Sequence, residues 1–130
     1  MKKILYSVVL VLCLLCISLK VYAAMPFKDA FEASDSKPML VFIYANWAEN
    51  YQTYLDKFRG LEKVFGDTFN YVELDIASPD TKEFNTRYHI YPNLPYILMF
   101  RNNGKISRYI QRNCAASESC MVPRIKSFIL

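Results

Sequence analysis

The sequence is short of the residues from which most enzyme sites are built. It has a single histidine, His89, and three glycines in 130 residues. A lone histidine without a second histidine or a nearby cysteine is a poor metal ligand or nucleophile activator, so neither a metal nor another cofactor is expected. The glycines form no phosphate-cradling loop, and no serine-hydrolase elbow occurs. Residues 24–130 hold no repeat, low-complexity tract or linker. No basic patch or tail is large enough to imply nucleic acid as a partner.

What the chain does have is apolar side chain, 53% of its residues, with 15% aromatic, enough for one packed domain. Part of it is concentrated at the start. Lys2 and Lys3 precede an uncharged run over residues 4–19, followed by Lys20 and Val21-Tyr22-Ala23-Ala24. A basic start, an apolar stretch and small residues at a Val-x-Ala site read as a secretory signal peptide, with cleavage expected after Ala23. The sixteen-residue run is shorter than the roughly 20 residues needed to span hydrocarbon. Cys13 and Cys16 each follow leucine, where lipoprotein processing wants a small residue. The expected organisation is therefore a signal peptide, 1–23, and one domain, 24–130, in the periplasm or outside the cell. The alternative is an uncleaved anchor that holds the domain outside the cytoplasm, the segment then being its one contact with the membrane.

Cleavage would remove three lysines and leave 13 basic against 12 acidic residues, a net charge of +1. It would also remove Cys13 and Cys16 and leave Cys114 and Cys120. An even pair in an exported chain reads as a disulfide.

Periodicity gives the elements. Residues 26–33 read as a short helix with Phe27, Ala30 and Phe31 on one face. Residues 39–45 (MLVFIYA) are a continuous apolar run, the pattern of a strand covered on both faces. Residues 49–65 carry Tyr51, Tyr54, Leu55, Phe58, Leu61 and Phe65 at helical spacing, closed by Gly66. A strand over 69–76, a helix over 79–88 and a strand over 96–101 follow. Asn102-Asn103-Gly104-Lys105 reads as a hairpin turn into a strand over 106–111, and a helix from Pro123 closes the chain. Helices between strands imply parallel pairing, with one antiparallel edge at the hairpin. The expected class is α/β: a three-layer sandwich around a mixed four-stranded sheet.

This order resembles thioredoxin, and the local sequence supports the likeness. The segment from Lys37 to Trp47 (KPMLVFIYANW) is similar to the strand that leads into the family's Trp-Cys-x-x-Cys motif. Tyr88-His89-Ile90 with Leu94-Pro95-Tyr96 is similar to the cis-proline segment, and Asn103-Gly104-Lys105 to the turn after it. The resemblance covers residues 26–130 and implies a cis peptide before Pro95. The family's first edge strand is expected to be missing, since little chain precedes Pro26.

The departures from the family bear on chemistry. The motif reads Trp47-Ala48-Glu49-Asn50-Tyr51, with alanine and tyrosine where the family has its two cysteines. Disulfide exchange needs a thiolate, and neither side chain supplies one. Glu49 is expected in the first helical turn as a capping carboxylate. The family's buried aspartate matches Phe42, its lysine partner Glu73, and its helix-kinking proline Asp56. The resemblance thus implies a groove without catalytic residues, lined by Trp47, Tyr51, Tyr91 and Tyr96, that takes a protein or extended peptide; the alternative is that Trp47 and Tyr51 are inherited packing.

Two other functions stay open at this point. One is a thiol–disulfide oxidoreductase working through Cys114 and Cys120, a pair that otherwise reads as a structural clip worth roughly 2 kcal/mol. The other is a structural subunit of an envelope complex, using the exposed edge of the 69–76 strand. Export predicts that mass spectrometry of the native protein finds Ala24 as its first residue; an intact Met1 in membrane fractions would overturn the cleavage.

Overall fold

The computed structural model describes residues 22–85, 88 and 93–129. Most of the expected signal segment, and the groove residue Tyr91 together with His89, lie outside them. Helix α1 (Phe27–Glu32) leads through a 3-10 turn to strand β1 (Met39–Tyr44). Then come α2 (Tyr51–Phe65), β2 (Asn70–Asp75), α3 (Asp80–Asn85), β3 (Tyr96–Arg101), β4 (Ile106–Ile110), α4 (Arg112–Ala115) and α5 (Glu118–Ile129). The four strands form one mixed sheet in the order β2-β1-β3-β4.

Strand β1 is interior to the sheet, and its first five residues are buried. Because side chains alternate across a strand, it serves two cores at once. Leu40 and Phe42 join Phe58, Leu61, Met121, Ile125 and Phe128 of α2 and α5 on one face. Met39, Val41 and Ile43 join Phe27, Ala30 and Phe84 of α1 and α3 on the other. Strand β3 divides the same way, with Ile97 and Met99 on the first face and Tyr96, Leu98 and Phe100 on the second.

Four expectations are corrected. Strand β3 runs antiparallel to β1, although a helix separates β2 from β3. β2 runs parallel to β1 and β3 antiparallel to it, so β3 starts at the end of the sheet where β2 finishes, and the chain between them does not recross the sheet. Helix α2 begins at Tyr51, not at residue 49, because Asn50 is left-handed at φ 58° and breaks the helical path. Glu49 therefore lies outside the first turn and is no cap. Helix α5 begins at Glu118 and holds Pro123 inside it. Burial of Met121, Ile125 and Phe128 on the core face outweighs the backbone bond that the proline cannot make.

No strand precedes α1 among the described residues. Instead, residues 22–26 run beside β2. The Met25 amide donates to the Tyr71 carbonyl at 2.8 Å. The Tyr22 ring tilts against Tyr71 at 5.8 Å, and the Arg59 guanidinium lies 5.8 Å over it. Tyr22 stands on the far side of the expected cleavage point, so its two ring contacts depend on processing, whereas the Met25 bond does not. A domain beginning at Tyr22 is expected to be about 1 kcal/mol more stable than one beginning at Ala24, a difference of about 4–8 °C in Tm by thermal circular dichroism.

Candidate functional site

The register of the sheet decides which loops meet. Tyr44 pairs with Asp75, Ile43 with Tyr96, and Ile97 with Ile110. Three segments therefore emerge at one end of the sheet: the motif loop after β1, the Leu94-Pro95 segment before β3, and α4 after β4. The Leu94–Pro95 peptide is cis. Leu94, Pro95 and Tyr96 are all buried, so this loop is held from within; Tyr96, expected to line the groove, is instead fully enclosed in the core and packs on Tyr109.

The motif loop divides into buried and exposed parts. Ala48, where the family's nucleophile would stand, is buried and packs its methyl into the α1/α3 core. Its amide donates to the Ala45 carbonyl at 3.0 Å, so that N–H is committed to a turn. Trp47 is 72% exposed, the most exposed large hydrophobic side chain among the described residues. Glu49 and Asn50 are also exposed. Tyr51 stacks on Tyr44 at 5.6 Å with the rings 5° from parallel. Burial, then the Asp75 and Glu73 carboxylates, push the Tyr44 phenol up from its ordinary pKa.

The positions beneath the motif hold no proton-transfer pair. Phe42 is fully buried and stacks on Phe58 at 5.2 Å. Its neighbour across the sheet, Glu73, accepts two hydrogen bonds from Arg59 of α2, at 2.7 and 2.9 Å. Burial pushes the Glu73 carboxyl up. The Arg59 guanidinium and the nearby Tyr22 hydroxyl outweigh this and leave it below the usual carboxylate range. The Tyr22 hydroxyl itself is buried short of proper hydrogen-bond geometry.

Cys114 in α4 and Cys120 in the first turn of α5 form a disulfide, with Cα atoms 5.2 Å apart. Cys114 is 4% exposed, and Cys120 packs half-buried against the same core. The Lys57 ammonium of α2 donates to the carbonyl of Ala116, inside the loop that this disulfide closes.

Two hollows flank the site. One, of 320 Å³, is lined by Asn50, Thr53, Tyr54, Lys57 and Ala116. The other, of 380 Å³, is lined by Asn93, Tyr109, Gln111, Arg112 and Asn113. They adjoin where the Arg112 guanidinium lies 5.5 Å over the Tyr54 ring. Lys57, Asn93, Arg112 and Asn113 were not singled out in the sequence. They acquire a common place only when the three loops converge, and α4 itself carries no periodic signal. No group of three or more potential metal-ligating side chains occurs among the described residues. No described helix is long and apolar enough to cross a membrane.

The sheet order, the two helical layers and the cis-proline beside the motif loop define a thioredoxin-like fold. Solved thioredoxin structures are similar to it. The structure of ferredoxin:thioredoxin reductase with thioredoxin f2 aligns with a TM-score of 0.64 and 15% identity, over 80% of this chain and 88% of the other. The germline-specific thioredoxin Deadhead of Drosophila melanogaster aligns at 0.60 and 17%, over 82% and 98%. A Schistosoma mansoni thioredoxin pre-protein aligns at 0.59 and 17%, over 83% and 94%. At such identities the likeness is one of fold. No protein-family model and no curated protein sequence matches the chain.

The Glu73–Arg59 pair predicts a pH dependence. Its carboxyl is depressed in the folded state, so its contribution is present above the unfolded pKa of about 4.3 and is lost as pH falls through the folded value. Arg59 is 47% exposed, which limits the contribution to about 1 kcal/mol. The stability gap between wild type and Glu73→Gln, measured by urea unfolding, should shrink from about pH 6 to about pH 3.

Proposed function

We propose that the chain is an exported peptide- or protein-binding module that does not use thioredoxin chemistry. One observation carries the reading: an exposed tryptophan, Trp47, stands beside a nucleophile position filled by the buried methyl of Ala48. Tyr51 takes the second cysteine position and is occupied in a ring stack. What remains is a surface for recognition. An exposed aromatic anchor, a fixed proline loop and polar hollows beside them suit an extended segment. The absence of thiols from the motif does not affect backbone hydrogen bonding by the proline loop. Export follows from the Lys–apolar–Val-x-Ala pattern of the first 24 residues and is part of the same proposal.

A second reading, a thiol–disulfide oxidoreductase, is favoured by the Cys114–Cys120 bond with its half-buried Cys120 in a helix's first turn. In the reduced protein a Cys120 thiolate would attack a partner's disulfide, and the partner's leaving sulfur would depart as a thiolate. Cys114 would then displace the partner from the mixed disulfide. The partner would be reduced and the pair reoxidised, which balances two electrons and two protons. Burial of Cys114 disfavours its thiolate, so the binding reading is preferred.

Insulin reduction separates the two. The binding reading predicts that wild type and the Cys114→Ala/Cys120→Ala variant are equally inactive, and that Trp47→Ala lowers partner capture about tenfold at unchanged Tm. Turnover that is lost in the double variant would establish the second reading.

A further inference from the structure

The two hollows beside the motif share a chemical bias. Their described lining includes two cations, Lys57 and Arg112, and no carboxylate. Lys57 is engaged by the Ala116 carbonyl. Arg112 is not comparably engaged. Its Nε is buried without a hydrogen-bond partner, and among the described residues its guanidinium makes no ion pair. Its one described charge-related contact is the face of the Tyr54 ring. A partly desolvated guanidinium without an anion is costly in a folded protein.

We propose that this cleft selects a carboxylate on the bound segment and that Arg112 is the residue that reads it. The proposal rests on the peptide-binding reading above and names the class of segment that the groove takes. A carboxylate entering the 380 Å³ hollow would meet the guanidinium together with the side-chain amides of Asn93, Gln111 and Asn113. Each amide can donate two hydrogen bonds, and a planar carboxylate accepts bidentate donation from arginine. The position fits the groove: Asn93 precedes Leu94-Pro95 by one residue in sequence, and Asn50 carries the adjoining hollow into the motif loop. Trp47 would supply apolar contact and Arg112 the charge. Glu49, the acidic residue of the motif loop, lines neither hollow. The carboxylate could come from a glutamate or aspartate side chain or from a free C-terminus.

The test uses the purified exported protein and fluorescein-labelled nonapeptide pools, randomised except for one fixed Glu, Gln or Lys, each made with a free and an amidated C-terminus. Fluorescence anisotropy should show Glu pools, or free-terminus pools, binding at least five times more tightly than their neutral counterparts at one position. Which pair separates identifies the source of the carboxylate. Arg112→Gln should abolish the difference while neutral pools bind as before. Arg112→Lys should retain part of it, which a purely structural role for the side chain would not produce. Tm measured for both variants checks that α4 remains folded. Equal binding of acidic and neutral pools by a protein that does bind peptide overturns the carboxylate preference and leaves the groove standing. Failure of every pool to bind, or selective binding of a maltooligosaccharide probe instead, overturns both.

Discussion

The fold depends on a single strand that is buried on both faces. β1 has a strand on each side and a helical layer above and below. Its even-numbered residues Leu40 and Phe42 enter one core, and its odd-numbered residues Met39, Val41 and Ile43 the other. A one-residue slip would exchange every side chain between two differently shaped cores. Burial therefore fixes the register of β1 against β2 and β3. That register in turn sets where the motif loop, the proline loop and α4 meet.

The site is tied to this strand by aromatic rings. Phe58 stacks on Phe42 at 5.2 Å, Phe42 lies 5.6 Å from Tyr44, and Tyr44 stacks on Tyr51 at 5.6 Å. The series runs from the core to the first residue of α2. In a redox thioredoxin-like site, the corresponding region must move protons to and from sulfur. Here a ring fills the aspartate position and an ion pair fills the lysine position. Rings interlocked with strand and helix favour a rigid surface, and rigid aromatic surfaces suit recognition because little side-chain freedom is lost on binding.

Likeness of fold to thioredoxins does not assign their chemistry, since a fold can carry unrelated sites. The motif position shows why. The backbone of strand, loop and helix is retained around Ala48 and Tyr51 although no sulfur is present there. The chain's described sulfur pair lies elsewhere, joining α4 to α5 and closing the loop whose Ala116 carbonyl holds Lys57. The disulfide thus shapes one wall of the cleft in which Arg112 and Lys57 stand.

The sequence alone determined the α/β class, the sheet of four strands, the buried character of β1 and the loss of the motif cysteines. Each of these is written in local pattern: the apolar run MLVFIYA, the helical spacing from Leu55 to Phe65, and the residues Ala48 and Tyr51 themselves. Local pattern could not give the direction of β3, because a helix between two strands is compatible with either direction and only the pairing with β1 decides it. Nor could it place the start of α5, where burial of Met121 overrides the stop signal of Pro123. The cleft was the least legible feature. Asn50, Lys57, Asn93 and Arg112 are separated along the chain and share no spacing. The convergence of three loops at one end of the sheet decided their association, because strand register brings together residues that sequence distance keeps apart.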